Sequence, residues 1–137
     1  MKKKLVMKKI LRYALFSILF IILLAISVYI IMLVDTHSVM KEVKDVFLGK
    51  IPYEQTENTP LSRFNTTNYV TFPTVKLKLF RYFTLHNFRD GYIWANYTVE
   101  VYDKEGNLVT GGWNIPTKWK IHNEKGKWEI VEIFEDP

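Results

Sequence analysis

The side chains able to do chemistry are few and scattered. His37, His86 and His122 stand far apart on different expected elements, and Ser38 and Ser62 are the only serines beyond residue 34. Asp35, His37 and Ser38 are the residue types of a nucleophilic triad, but neighbours at a helix start point in different directions and cannot converge on one atom. Capping accounts for them better. A nucleophile elbow, a phosphate-cradling glycine loop and a zinc-binding His-Glu-x-x-His helix each need fixed residues at fixed spacing, and none is present. The chain has no cysteine, which removes thiolate zinc sites, cysteine nucleophiles, disulfides and a lipidated N-terminal cysteine. Glu100 and Glu132 are the only mid-strand acids in a position to serve as a buried general base. The reading is no catalytic residue, no metal site, no cofactor and no enzyme.

The aromatic residues are the stronger candidates. Beyond residue 34 they make up 17 of 103 residues, more than a core this small usually holds, so some must line a cleft or a surface. Tyr92, Trp94 and Tyr102 fall on the expected outer face of a strand and Phe88 falls in a turn. These four form the expected partner-binding set, because Trp and Tyr bury large area and keep one polar handle. His86, Arg89 and Asp90 flank the same turn as a polar-ligand candidate, with solvated turn chemistry as the plainer account.

What must position these residues begins with a membrane segment. Tyr13 to Val34 is a run of 22 uncharged residues, which at ~1.5 Å per residue spans about 33 Å, matching the ~30 Å hydrocarbon layer. The net charge of +5 suggests a polyanion binder until it is placed. Lys2, Lys3, Lys4, Lys8, Lys9 and Arg12 precede the run with no acid among them, whereas residues 35–137 carry 13 Lys or Arg against 14 Asp or Glu. That excludes a basic nucleic-acid-binding face in the folded part and, by the positive-inside rule, puts the N-terminus in the cytoplasm. Ala25-Ile26-Ser27 offers a signal-peptidase site, but cleavage there would leave Val28–Val34 as an exposed apolar terminus, which favours an uncleaved anchor. The expected layout is a basic cytoplasmic tail (1–12), a transmembrane signal anchor (13–34) and an extracytoplasmic domain (35–137) at the cell membrane. Its expected partners are the bilayer and another envelope protein. Asn65-Thr66-Thr67 and Asn96-Tyr97-Thr98 match the glycosylation pattern, although the excess of Lys over Arg reads as bacterial.

Within the domain, Val39, Met40, Val43, Val46 and Phe47 recur at helical spacing, and Gly49 is the stop, predicting a helix over 35–49. Residues 50–74 hold three of the five prolines and no sustained period, so they read as loop with a short strand near Tyr69–Phe72, or as a functional loop over a pocket. From Val75 the period becomes two, broken by turns near 87–91, 103–107 and 123–127, the last two of which read as type I turns with a bulge. Strands are expected at 75–86, 92–102, 108–122 and 128–134. The core side takes Val75, Leu77, Leu79, Phe83 and Leu85, then Ile93, Ala95, Tyr97, Val99 and Val101, then Trp113, Ile115, Trp119 and Ile121. Gly111-Gly112 and Pro116 make the third strand irregular or partly an edge. The fold class is α+β, one helix on a curled four-stranded antiparallel meander sheet.

The ending Gly112-Trp113-Asn114-Ile115-Pro116, Trp119-Lys120-Ile121 and Gly126-Lys127-Trp128-Glu129-Ile130-Val131 is similar to the last hairpin of cystatin-like and NTF2-like extracytoplasmic domains. With the anchor added, the chain resembles small, uncharacterised membrane-anchored proteins of Gram-positive bacteria. That resemblance spans roughly residues 86–137 and implies a fold without implying a reaction. The same layout resembles the assembly proteins of conjugative secretion systems, from which this chain departs by its shorter domain and single helix before the sheet. Two functions follow as expectations: a non-enzymatic protein- or peptide-binding module, or an NTF2-like small-ligand pocket able to host catalysis.

Overall fold

A computed structural model describes residues 1–135. The chain divides into a unit of Met1–Ile31 and a domain that begins at Met32. Helix α1 (Lys2–Asp35) runs through the first unit and buries no residue there. It is long and apolar enough to cross a membrane. Its two serines donate to carbonyls one turn back, Ser17 to Tyr13 at 2.9 Å and Ser27 to Leu23 at 2.8 Å, so neither hydroxyl is left unpaired as it would be in hydrocarbon.

In the domain, helix α2 (His37–Phe47) follows after the single turn residue Thr36. The expected side-chain cap does not form. Thr36 Oγ1 donates backwards to the Met32 carbonyl at 2.7 Å, and its own carbonyl accepts from Val39 and Met40. Because α2 continues almost directly from α1, its first N–H groups still find carbonyls upstream and a cap is not needed. The apolar stripe lies as expected, with Val39, Val43, Val46 and Phe47 buried, and Gly49 ends the segment at φ +74°.

Residues 50–74 are more ordered than their composition suggests. They form helix α3 (Tyr53–Thr56) and 3-10 turns at Pro60–Phe64 and Thr66–Asn68, and the strand expected near Tyr69–Phe72 is absent. Pro52 and Pro60, unable to donate to a ladder, suit the starts of helical turns, where the missing N–H costs nothing. Leu61 and Phe64 are buried against α2 and the sheet. Asn65, 1% exposed, holds the segment together: Nδ2 donates to Ile51 O and Thr56 Oγ1, and Oδ1 accepts from Thr67 N and Oγ1. An amide so engaged is closed to glycosylation in the folded domain.

The sheet has the order β1-β2-β3-β4, all antiparallel, with β1 at Thr74–His86, β2 at Asp90–Tyr102, β3 at Leu108–Glu124 and β4 at Lys127–Phe134. Its inner face packs Ile93, Ala95, Tyr97, Trp119, Ile121, Trp128 and Ile130 against α2 and the 3-10 turn. Phe47, Phe64 and Tyr97 meet with ring centroids 4.6 to 5.5 Å apart.

Of the four register shifts in the sheet, two correct the expected faces. Tyr82 is an extra residue between the pairs Arg81↔Ala95 and Phe83↔Trp94, so the parity of β1 reverses beyond it. Phe83 and Leu85, expected inside, stand 43% and 51% exposed, while Thr84 and His86 are buried. A second shift between Tyr97↔Ile115 and Val99↔Gly112 sets two residues, Trp113 and Asn114, opposite Thr98, with Asn114 at φ +51°. Trp113, also expected inside, is 56% exposed. A further shift, between Lys120↔Glu132 and Ile121↔Ile130, leaves Val131 exposed on β4. Pro116 pairs across to Asn96 on one side only, because β4 reaches no further than Lys118, so β3 is an edge there as expected. The β3–β4 turn differs from the expected type: Lys125 and Gly126 both have positive φ, the signature of a primed type I turn without a bulge.

Candidate functional site

The outer sheet face separates the four expected partner-binding residues into three places. Tyr92 and Trp94 alternate on β2, their rings 5.8 Å apart, and Phe83 lies 5.4 Å from Trp94 because the Tyr82 bulge turns it to this side. On β3, Lys118 is placed directly opposite Trp94, and its ammonium lies 4.4 Å from the Tyr92 ring, 5.6 Å from Trp94 and 5.4 Å from Phe134 of β4. Among the described residues no carboxylate is within ion-pair distance of Lys118. Beside it an open groove of about 460 Å³ is lined by Tyr82, Trp94, Pro116, Lys118 and Phe134. Of this cluster the sequence names Tyr92 and Trp94 as candidates; Phe83 and Phe134, which a period of two cannot place once a bulge intervenes, and Lys118, whose position opposite Trp94 depends on register, come from the structure.

Tyr102 belongs to a different cluster, eight residues from Trp94 along β2 and so roughly 26 Å away. There it donates a short hydrogen bond to Glu100, which also accepts from Trp113 Nε1 at 3.2 Å, while Lys76 lies over the Tyr102 ring. Those two donors hold the Glu100 carboxyl below its ordinary range. A half-buried carboxylate with a lowered pKa is the opposite of the raised one that the pocket reading needs at this position. Glu132 is exposed on β4.

Phe88 sits in the β1–β2 turn, edge-on to the His86 ring at 4.9 Å. Of the expected polar trio only Arg89 and Asp90 are brought together, Nε to Oδ2 at 3.9 Å, and His86 stands apart. His86 points inward, 5% exposed, its ring tilted against Trp128 at 4.5 Å, with Nδ1 accepting from the Phe88 N–H at 2.9 Å. Burial pushes its pKa down, opposed by Asp35 and the Met32 carbonyl, and Nε2 makes no hydrogen bond. Asp90 points outward and binds His122 Nδ1 at 2.7 Å, and Glu124 meets Nε2 at 3.2 Å. The two hydrogen bonds raise the His122 pKa. Because the carboxylates approach opposite ring nitrogens, the three groups form a charge cluster with no shared point for a cation. Among the described residues no group of three metal-ligating side chains converges.

The inner face offers little room. Between the 3-10 turn and the bulged end of β3 a cleft of about 130 Å³ is lined by Phe64, Tyr97, Val101 and Ile115, well under the ~300 Å³ at which small-molecule sites begin. Around the free edge of β1 an open cavity of about 600 Å³ is lined by His37, Lys41, Lys44, Leu77, Phe80 and Asn114, a mixed basic and apolar surface.

No family model, no curated protein and no solved structure matches this chain.

Proposed function

We propose that this is a single-pass membrane protein whose N-terminus is cytoplasmic and whose domain, on the far side of the membrane, is a non-enzymatic binding module for another envelope protein. The observation that carries the reading is the Tyr92–Trp94–Phe83 ring set around Lys118 on a sheet face that no other described element packs against. Its chemistry fits an extended, apolar segment that supplies a carboxylate: the rings take apolar side chains, and among the described residues no carboxylate lies within ion-pair distance of the ammonium. The NTF2-like pocket is less supported, since the inner face is filled by α2 and the 3-10 turn.

Tagged full-length protein crosslinked in its native cells, then solubilised, tests this. Trp94→Ala and Lys118→Gln are expected to abolish recovery of a dominant envelope partner while thermal unfolding of the domain stays within about 1 kcal/mol of wild type, as surface changes do. Undiminished recovery with both variants would remove this face as the binding surface.

A further inference from the structure

The end of α1 is fixed against one end of the sheet. Arg81 donates through Nη2 to the Leu33 carbonyl at 3.2 Å and through Nη1 to Thr36 Oγ1 at 2.8 Å. His86, at the last position of β1, lies close enough to Asp35 and the Met32 carbonyl for both to act on its proton. Residues 32–34 are the last of the apolar run that begins at Tyr13. From there α2 runs along the sheet toward Tyr97, where Phe47 packs, so residues 32–34 lie toward the end of the domain that carries the β1–β2 turn. The β3–β4 turn lies at the same end, since Asn123 donates to the Arg89 carbonyl at 2.7 Å and to the Phe88 carbonyl at 3.3 Å.

Phe88 is the odd residue of this end. It holds φ +69°, where Gly or Asn is at ease and a bulky side chain is not, and it remains 52% exposed. Neither the core nor the turn explains a phenyl group there. Its ring stands edge-on to His86 at 4.9 Å, at the end of the strand whose Arg81 holds Leu33 and Thr36.

We propose that the Asn87–Arg89 turn rests on the bilayer that α1 spans, with Phe88 seated among the lipid headgroups and Arg89 beside their phosphates. The proposal rests on the reading of α1 as a membrane span. Aromatic insertion is the main attraction, because Asp90, Glu124 and Glu129 offset Arg89, Lys125 and Lys127 at this end of the sheet. Seating therefore does not require anionic lipid.

The absence of cysteine allows clean single-site labelling. Full-length Arg89→Cys, Glu105→Cys and Leu23→Cys proteins, each carrying an environment-sensitive fluorophore, are reconstituted in phosphatidylcholine vesicles containing spin-labelled lipid. Position 89 is expected to be quenched several-fold more strongly than position 105 by a shallow quencher, and Phe88→Ser added to Arg89→Cys is expected to remove most of that difference. Position 23 is expected to respond to a deep quencher. Equal quenching at 89 and 105 with position 23 quenched would overturn the seating and leave the span intact. No effect of Phe88→Ser would overturn the role given to that ring. An unquenched position 23 would overturn the span, and this proposal with it.

Discussion

Arg81 shows how one residue ties the fold to its anchor. A period of two assigns it no partner, yet its guanidinium satisfies a carbonyl in the last turn of α1, where a cation also meets the negative end of the helix dipole. Arg81→Met is expected to cost about 1–3 kcal/mol, the range for charge-assisted hydrogen bonds, measurable as a lower denaturation midpoint. The two hydrogen-bonded histidines work against each other with pH. His86 has a folded pKa below its ordinary 6.5, so the unfolded chain takes up the proton first and stability falls as the pH drops below that value. His122 has a raised folded pKa, so its contribution is complete below 6.5 and is lost as the pH rises through the folded value. Melting temperatures measured between about pH 7 and pH 5 should show a smaller acid loss in His86→Gln than in wild type, and a larger one in His122→Gln.

At the scale of elements, the hydrophobic period placed α2 and all four strands to within two residues or so, because each is long and strongly patterned. The candidate site was less legible. Trp94 and Tyr92 precede any register shift that affects them, whereas Phe83, Leu85 and Trp113 lie beyond a bulge, and one inserted residue exchanges every following side chain between core and surface. Nothing in the residue types around Tyr82 announces that insertion. Around Asn114 the neighbouring Gly111-Gly112 did signal irregularity, but the positive φ falls two residues later, on an Asn. Residues 50–74 were opaque for a different reason: their order comes from buried side-chain hydrogen bonds such as those of Asn65, which no periodicity encodes. The β3–β4 turn gives a direct check. Lys125 pays the left-handed penalty at φ +53°, so Lys125→Asn is expected to stabilise the domain by about 0.5–1 kcal/mol in chemical denaturation, whereas Lys125→Val should destabilise it.

For the whole molecule, the charges and the fold support one arrangement. Six cations precede the apolar run, the remainder is close to neutral, and the domain begins where the run ends. The binding face and the bilayer seat proposed above both require the sheet to lie on the side of the membrane opposite those cations. The most direct test labels the single cysteine of Glu105→Cys, in the β2–β3 turn, with a membrane-impermeant maleimide in intact cells, using Lys4→Cys as the cytoplasmic counterpart. Labelling at 105 before permeabilisation, with labelling at 4 only after it, is the predicted result; the reverse pattern would contradict the account.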